Sequence, residues 1–363
     1  AGQRYTPHGW YLGLIHGVPF DPFAMAGYLD EKMAQAEIDV LLTTQVVDAH
    51  TEGTRITHVI LHNKSGLSAV PATGVVDATG DADLAARTDC RVLVGDSKGE
   101  MAPASLEFHV DGVDQDALSA YIHARDAPRF RDEIAALRSK AQWPFPYDIL
   151  ITVQLDHPGT MLVNTTRLVG IDGANGRSIS DGLVRGRAEI QTLFALMQQH
   201  IPGFARARIK SVASMLGIRE TRRIAGPYTL TVDDLLSGQA FPDTIGYSMY
   251  GWDLPDPRRP SHQPMHGTSK PPVTPIPFGI MVPRALDNLI CPGRAVSVER
   301  DVLGPLRVMA PCMAMGEAAG QAAIQVIERA IPFRDVDVDR LREDLRSYGA
   351  IVDLDGIEAV SYT

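Results

Sequence analysis

The sequence has 363 residues, of which 45% are hydrophobic, enough for a sizeable core and for two domains. Its 34 Lys and Arg residues against 44 Asp and Glu residues give a net charge of -10, which argues against a nucleic-acid partner, since phosphates need a basic surface. No apolar run approaches about 18 residues, so the sequence predicts no membrane span. Its 3 widely spaced cysteines fit no metal site and favour a reducing compartment, and we expect a cytoplasmic protein without a metal.

The first elements predicted are a helix and a meander of strands. Residues 23–37 have helical apolar spacing, and Asp21 followed by Pro22 is a plausible N-cap with a first-turn proline. From there the apolar period changes to two, and residues 39–49, 54–62 and 67–70 are typical of three short strands joined by glycine turns.

A glycine-containing turn follows the next strand. Residues 74–79 are predicted to form a strand that ends in Ala-Thr-Gly, and a helix with Asp81 or Asp83 in its first turn is expected after it. Because this end lacks bulky side chains, it leaves room for a cofactor where open α/β sheets bind ligands. Candidate contacts are Ala78, Thr79, Gly80 and Asp81. Helix capping is the alternative role of the aspartates.

The composition shifts at Pro103, where a second, α+β domain is predicted to start. We expect strands at 105–111, 149–154, 160–165 and 207–216, and helices at 114–138 and 180–200. The chain then carries a charge cluster, GIRETRRIAGPY, at 217–228. Arginine runs are usually solvated, but apolar segments flank this one, and buried guanidiniums need carboxylate or ligand oxygens as partners.

An irregular loop at 246–270 is rich in aromatic residues, proline and histidine, and such loops are often functional. Tyr250, His262 and His266 are candidates for lining a substrate pocket there, and a surface loop with solvated histidines is the alternative. From 335 onward the sequence predicts a charged helix that packs on the outside.

Residues 288–325 hold the pattern on which the functional interpretation depends. A short strand leads into the turn Pro292-Gly293-Arg294, and a helix is predicted from about residue 308. The small residues of this helix allow backbone to come close to a partner, and its first-turn N–H groups and dipole can receive electron density from a bound group. Tight packing of the helix on a sheet is the alternative.

Three of these stretches together resemble a broad family of FAD-dependent oxidoreductases. They are GVVDATGDADLAART at 74–88, MLGIRETRRIAGPYTLTVDDLLSGQAFPDTIGYSMYG at 215–251, and NLICPGRAVSVERDVLGPLRVMAPCMAMGEAAGQAAI at 288–324. The likeness runs over most of residues 20–330. It implies an α/β fold with an FAD-binding, Rossmann-like domain of the glutathione-reductase type at 1–102 plus 285–330. A second, α+β substrate domain at 103–284 and a helical tail at 331–363 complete the predicted division.

The resemblance also implies which residues contact FAD. Val46 and Val47 lie where backbone groups pair with the adenine edge, although a buried strand would explain them equally well. The resemblance places Arg219 and Arg222 toward the flavin or substrate. Gly293 and Arg294 are expected at ribityl or phosphate oxygens, Arg307 beside the helix start, and Met315 and Gly316 near the ring.

The function implied is oxidation of a small polar metabolite by hydride transfer to N5 of FAD, in a dehydrogenase or an oxidase. Arg219, His157, Tyr250 and His266 are the candidate catalytic residues, and His157, His262, His266 and Tyr250 remain unranked as the base. The family's N-terminal GxGxxG unit does not occur in this sequence. We therefore expect a removed segment or a second polypeptide to carry it, within a homo- or hetero-oligomer. The alternative is a non-catalytic structural subunit of a flavoprotein complex.

Overall fold

The structure, a computed structural model, describes residues 21–155, 157–258 and 273–354. The helices within these ranges are α1 (Pro22–Gln35), α2 (Gln115–Arg125), α3 (Arg131–Ser139), α4 (Gly176–His200), α5 (Val232–Leu236), α6 (Leu303–Leu306), α7 (Met309–Arg329) and α8 (Val338–Ser347). The strands are β1 (Gln45–Glu52), β2 (Arg55–Asn63), β3 (Gly66–Pro71), β4 (Val75–Val76), β5 (Val92–Val94), β6 (Phe108–Asp111), β7 (Thr152–Gln154), β8 (Met161–Val163), β9 (Arg208–Val212), β10 (Arg222–Ile224), β11 (Thr244–Ser248), β12 (Thr274–Pro277) and β13 (Leu289–Ile290).

The first helix starts where the sequence predicts. The Asp21 carboxylate accepts the Ala24 N–H at 2.7 Å, and Pro22 occupies the first turn. β1, β2 and β3 then form the predicted antiparallel meander. Its first strand is shorter than expected, because Thr43 has a φ of 51°, and left-handed backbone interrupts an extended strand.

A parallel pair of strands, β4 and β13, brings distant parts of the chain together. Val75 pairs with Leu289, and Val76 pairs with Ile290. The buried Asn288 amide fixes this pair to the meander, since it donates to the Ile56 carbonyl at 2.8 Å and accepts the Ile56 N–H at 2.9 Å. Such a pairing is typical of an α/β core.

The helix predicted after Asp81 does not form. Only a 3-10 turn, Ala85–Arg87, lies in this stretch. Gly80 (φ 76°) and Ala82 (φ 51°) both take left-handed backbone, which no continuous α-helix can contain. Helix capping is therefore not the role of Asp81.

The second half of the fold surrounds a four-stranded antiparallel sheet in the order β7-β8-β6-β9. The hydrophobic cluster on this sheet includes residues of α2, α3 and α4, and its members run from Ala104 to Leu216. The helix predicted over 114–138 is instead split into α2 and α3, because Asp126 (φ 49°) and Phe130 (φ 54°) are left-handed. Phe130 is fully buried, so packing of its ring accompanies the break.

A second large cluster forms around α7. It takes in residues of β11 and β12, the segment before β13, and α8, and its members are Ala102 and residues between Leu230 and Val352. The tail helix was expected to pack outside, yet Leu341 and Leu345 of α8 are buried in this same core. The predicted domain limits stay a prediction. Within the apolar core, residues between 230 and 282 pack in the same cluster as α7.

Candidate functional site

The carboxyl ends of β4 and β13 place two predicted motifs side by side. The Asp77 N–H donates to the Ile290 carbonyl at 2.8 Å, directly after the paired residues. Since both strands run in the same direction, residues 77–81 and 291–294 leave the sheet at one edge. This edge is where open α/β sheets bind ligands.

Buried Asp77 shapes the first of these loops. One of its carboxylate oxygens accepts the Thr79 hydroxyl at 2.7 Å and the Thr79 N–H at 3.2 Å. The other accepts the N–H groups of Leu84 and Ala85 at 3.1 and 3.0 Å. The sequence analysis did not single out Asp77, although a carboxylate inside the apolar run VVDATG was a signal for it.

Asp81 joins the loop to the arginines of the other motifs. Its Oδ1 accepts the Thr221 hydroxyl at 2.7 Å and Arg294 Nη2 at 3.0 Å. Arg222 Nη1 donates to the Asp81 carbonyl at 3.1 Å. The φ of 76° favours glycine at position 80, and a Cβ there would lie 2.7 Å from Arg294 Nη2 and so displace this guanidinium.

Gly293 and Arg294 complete the second loop. Gly293 has a φ of 90°. A Cβ placed on it would lie 3.8 Å from the sulfur of Cys312, in the first turn of α7. Besides Asp81, Arg294 donates to the Ile218 carbonyl at 3.0 Å. Burial raises the pKa of Cys312, with Arg294 and Arg307 opposing, so this thiol is not activated and acts as a small apolar side chain.

α7 presents an open backbone strip. A Cβ placed on Gly316 or Gly320 would meet no atom of the described residues within 4 Å. Val308, the N-cap residue, provides no side-chain hydrogen bond to the first turn. Met315 is fully buried in the apolar core, so Gly316, not the Met315 side chain, lies on the open face. An uncapped first turn beside bare backbone fits a flat anionic ring.

Arg307 precedes this helix and contacts Asp253. Its Nε donates to the Asp253 carbonyl at 3.1 Å, and its Nη2 lies 3.3 Å from the Asp253 carboxylate. The Tyr250 hydroxyl donates to the same carboxylate at 2.8 Å. Tyr250, a predicted catalytic residue, is thus connected to Arg307 through Asp253.

Arg219 is half-buried, next to an arginine that the sequence analysis missed. Its Nη1 donates to the Pro103 carbonyl at 2.6 Å, and its Nη2 donates to Ser105 Oγ at 2.7 Å. Arg167, buried on the neighbouring segment, donates to the same Ser105 Oγ at 3.2 Å. Burial, together with the positive charges of Arg167 and Arg307, lowers the pKa of Arg219. The apolar context NTTRLVG was the signal for Arg167.

The remaining arginines of the GIRETRR cluster are also inside rather than on a solvated face. Glu220 is buried and accepts hydrogen bonds from Arg300, with Nε 3.0 Å and Nη2 2.5 Å from Oε1 and Nε 3.1 Å from Oε2, and one from the Ala102 N–H. Arg223 lies 3.5 Å from this Oε2. Arg300, distant in sequence, is the partner that the cluster by itself did not reveal.

The other predicted site residues lie on separate elements. Val46 packs beside the cluster under the meander, and the Val47 carbonyl, at a bulge in β1, accepts Arg87 Nε at 2.6 Å. His157 is exposed in the turn between β7 and β8. His262 and His266 lie outside the described residues. Within the part of the chain that is described, no cluster of His, Cys, Asp and Glu is arranged to hold a metal ion.

Comparisons with known proteins define the class. A family model described as FAD dependent oxidoreductase matches residues 2–345. The chain belongs to this family, which confirms the predicted family, its cofactor FAD and the α/β FAD-binding class of fold. No curated protein matches. Among the described helices, none has the length and hydropathy needed to cross a bilayer.

Solved structures show distant similarity. A p-nitrophenol 4-monooxygenase from Pseudomonas putida DLL-E4 shares 10% identity at a TM-score of 0.41, covering 91% of this chain and 61% of its own. A geranylgeranyl bacteriochlorophyll reductase-like protein from Thermoplasma acidophilum shares 10% sequence identity at a TM-score of 0.40, and the match covers 90% of this chain and 58% of that protein. A flavin-dependent brominase shares 13% sequence identity at a TM-score of 0.40, and the match covers 90% of this chain and 59% of the brominase. The chain therefore spans about 60% of the length of these proteins, and none of the scores supports an argument about function.

Proposed function

We propose that this chain forms the flavin-ring and substrate side of an oxidoreductase that oxidises a small polar metabolite by hydride transfer to FAD. One observation carries the proposal: the open strip at Gly316 and Gly320 lies on the helix whose uncapped first turn adjoins the Gly293 loop. Bare backbone and first-turn N–H groups are what an electron-accepting ring needs beside it. The non-catalytic alternative is not favoured by family membership.

Each loop has a role in this proposal. Residues 78–81 and Gly293 would contact the cofactor through backbone, because their side chains are small or used by neighbours. Asp81 holds Arg294 in place rather than meeting the cofactor through its carboxylate. When bound, FAD supplies an electron-pair acceptor at N5. Arg307 and the first turn of α7 would favour negative charge on the adjoining group.

Among the predicted proton acceptors, we favour Tyr250. Its hydroxyl donates a hydrogen bond to the Asp253 carboxylate. The tyrosine oxygen can therefore accept a proton from the substrate while its own proton passes to Asp253. Arg307 contacts the same carboxylate and so helps to hold it beside the Tyr250 hydroxyl. Replacement of Tyr250 by Phe should slow turnover without releasing flavin.

The cytoplasmic location is also part of the proposal. Cys90, Cys291 and Cys312 are all free thiols, and Cys90 and Cys291 are buried. Free thiols favour a reducing compartment.

The cofactor position is tested by Gly316→Leu, with Gly176→Leu in the exposed first turn of α4 as the matched control. Both glycines have open space where a side chain would go, and leucine favours helix over glycine by about 1 kcal/mol. Both variants should fold at least as stably as the wild type. We expect only Gly316→Leu to lose bound flavin, measured as visible absorbance per protein after gel filtration.

Full retention of flavin by a folded Gly316→Leu variant would show that the ring lies elsewhere. A wild-type protein that carries no flavin, purified with any polypeptide that accompanies it, would contradict the proposed function itself.

A further inference from the structure

Among the described residues, neither the buried Arg167 nor the half-buried Arg219 has an anionic partner. Both contact the Ser105 hydroxyl, which donates its own proton to the Thr166 carbonyl at 3.1 Å. A neutral hydroxyl accepts hydrogen bonds but cancels no charge. Within residues 21–155, 157–258 and 273–354, neither guanidinium forms an ion pair, whereas Arg307 nearby is paired with Asp253. A buried charge without a counter-charge is unfavourable.

The only carboxyl whose charge acts on both arginines without belonging to another pair is Glu107, within the described residues. It forms no ion pair with either of them, and its burial raises its own pKa, which favours the uncharged carboxyl. Asp253 also acts on both arginines but is held by Arg307, and Glu189, whose charge acts on Arg167, likewise has its pKa raised by burial. These three carboxyls are therefore either paired elsewhere or favoured in the uncharged form, which leaves positive charge unbalanced at the two guanidiniums.

The two guanidiniums are also not fully used. Each has five N–H groups, and the bonds formed are from Arg167 Nη1 to Ser105 and Thr166 and from Arg219 to Pro103 and Ser105. Among the described residues, these bonds leave N–H groups of both guanidiniums without an acceptor. Planar guanidinium forks match the geometry of a carboxylate.

This pair lies near the start of α7. The charge of Arg307, which immediately precedes that helix, acts on both Arg167 and Arg219. An anion held between the two arginines would therefore lie near the end of α7 that the proposed function assigns to the flavin ring.

We propose that Arg167 and Arg219, with Ser105 between them, bind the carboxylate of an organic acid. A single carboxylate supplies one negative charge in a planar group with two acceptor oxygens, which matches the excess charge and the forks. That this acid is the substrate rests on the proposed function, whereas the anion site does not.

The test measures the thermal unfolding midpoint of the whole protein while acetate or succinate is titrated against sodium chloride of equal ionic strength. Acetamide, the neutral analogue of acetate, and inorganic phosphate are the comparison probes. A ligand that binds only the folded state raises the midpoint in proportion to its occupancy. We expect both carboxylates to raise it, acetamide to leave it unchanged, and phosphate to act more weakly than the carboxylates.

The variants are Arg219→Lys and Arg167→Lys, which keep the charge but remove the planar fork, and Ser105→Ala, which removes the shared hydroxyl. Arg185→Lys is the matched control, because Arg185 is exposed and donates only to the Val169 carbonyl among the described residues. We expect the lysine variants to lose carboxylate affinity by at least about tenfold. Ser105→Ala removes no charge, so it can still test the site if a lysine variant does not fold. Its carboxylate affinity should fall several-fold.

An equal response to acetamide, or undiminished carboxylate affinity in the three variants, would overturn the site. Stronger binding of phosphate than of carboxylate would overturn the assignment to organic acids. The measurement reports unfolding rather than turnover, so it does not need flavin. A protein that carries no flavin but is still stabilised by carboxylates would contradict the proposed function and support the anion site.

Discussion

At the scale of single residues, Glu189 supports the segment that carries Arg167. Its Oε1 accepts the Tyr147 hydroxyl at 3.0 Å and the Arg167 N–H at 3.1 Å. Burial raises the pKa of Glu189, although these hydrogen bonds and the nearby arginines oppose the rise. A raised pKa means that the folded protein binds this proton more tightly than the unfolded chain does.

The sign of the pH dependence follows. The stabilising contribution of the protonated carboxyl is complete below its ordinary value of 4.5 and is lost as pH rises through the raised pKa of the folded state. Glu189→Gln keeps the acceptor oxygen and carries no charge. We therefore predict that the stability of this variant, relative to the wild type, increases as pH rises from 4.5 toward neutrality.

Urea unfolding at several pH values measures this difference in free energy. Glu317→Gln, at an exposed position of α7, is the control. Its free energy of unfolding relative to the wild type should not change with pH over this range. Parallel pH profiles for the Glu189→Gln variant and the wild type would mean that the carboxyl titrates normally in the folded protein.

The residue scale also shows what the sequence could predict of the site. The apolar flanks of GIRETRR kept a buried position open beside a solvated one, and the structure buries Arg223 and half-buries Arg219 and Arg222. Their partners were not predictable, since Arg300 reaches Glu220 from 80 positions away and Arg294 reaches Asp81 from 213 positions away. Such contacts are set by tertiary packing, which no local pattern encodes.

At the scale of elements, periodicity predicted the long pieces well. α1, α4, α7 and the meander lie close to where their patterns put them. The pattern failed where single residues take left-handed backbone, at Ala82 and at Phe130, because non-glycine residues rarely do so and the sequence gave no warning. The short strand β4 ends early because Asp77 turns its side chain to the following N–H groups.

The tail helix α8 makes an element-scale prediction. Leu341 is fully buried in the cluster around α7, so truncation to alanine should leave a cavity and lower the free energy of unfolding by about 2–5 kcal/mol. Ile351→Ala, at a site that is 59% exposed, is the control and should cost much less. Denaturant unfolding measures both. If the two variants are equally stable, α8 does not belong to the core.

At the scale of the whole molecule, α1 is the least supported helix. It buries none of its residues, and Phe23 and Tyr28 are 88% and 55% exposed. Large exposed apolar side chains of this kind often mark an interface. They support the proposal that a second polypeptide, or another copy of the chain, packs here.

Native mass spectrometry of the purified protein tests this. We predict a mass above that of a single chain with FAD. In the Phe23→Ser variant, a smaller fraction of the chains should be found in this heavier complex. Val184→Ser is the control, because Val184 is 64% exposed on α4 and lies outside this surface. A single chain at every concentration would exclude the partner.

The parallel pair β4 and β13 has a consequence for biosynthesis. Asn288, which leads into β13, bonds to Thr73 across 215 positions of chain. A nascent chain on the ribosome cannot close this pair until Ile290 has been made, after every strand of the four-stranded sheet. The loops at 77–81 and 291–294 therefore come together later than that sheet, so a translation product that ends before β13 would have the sheet and lack the proposed flavin site.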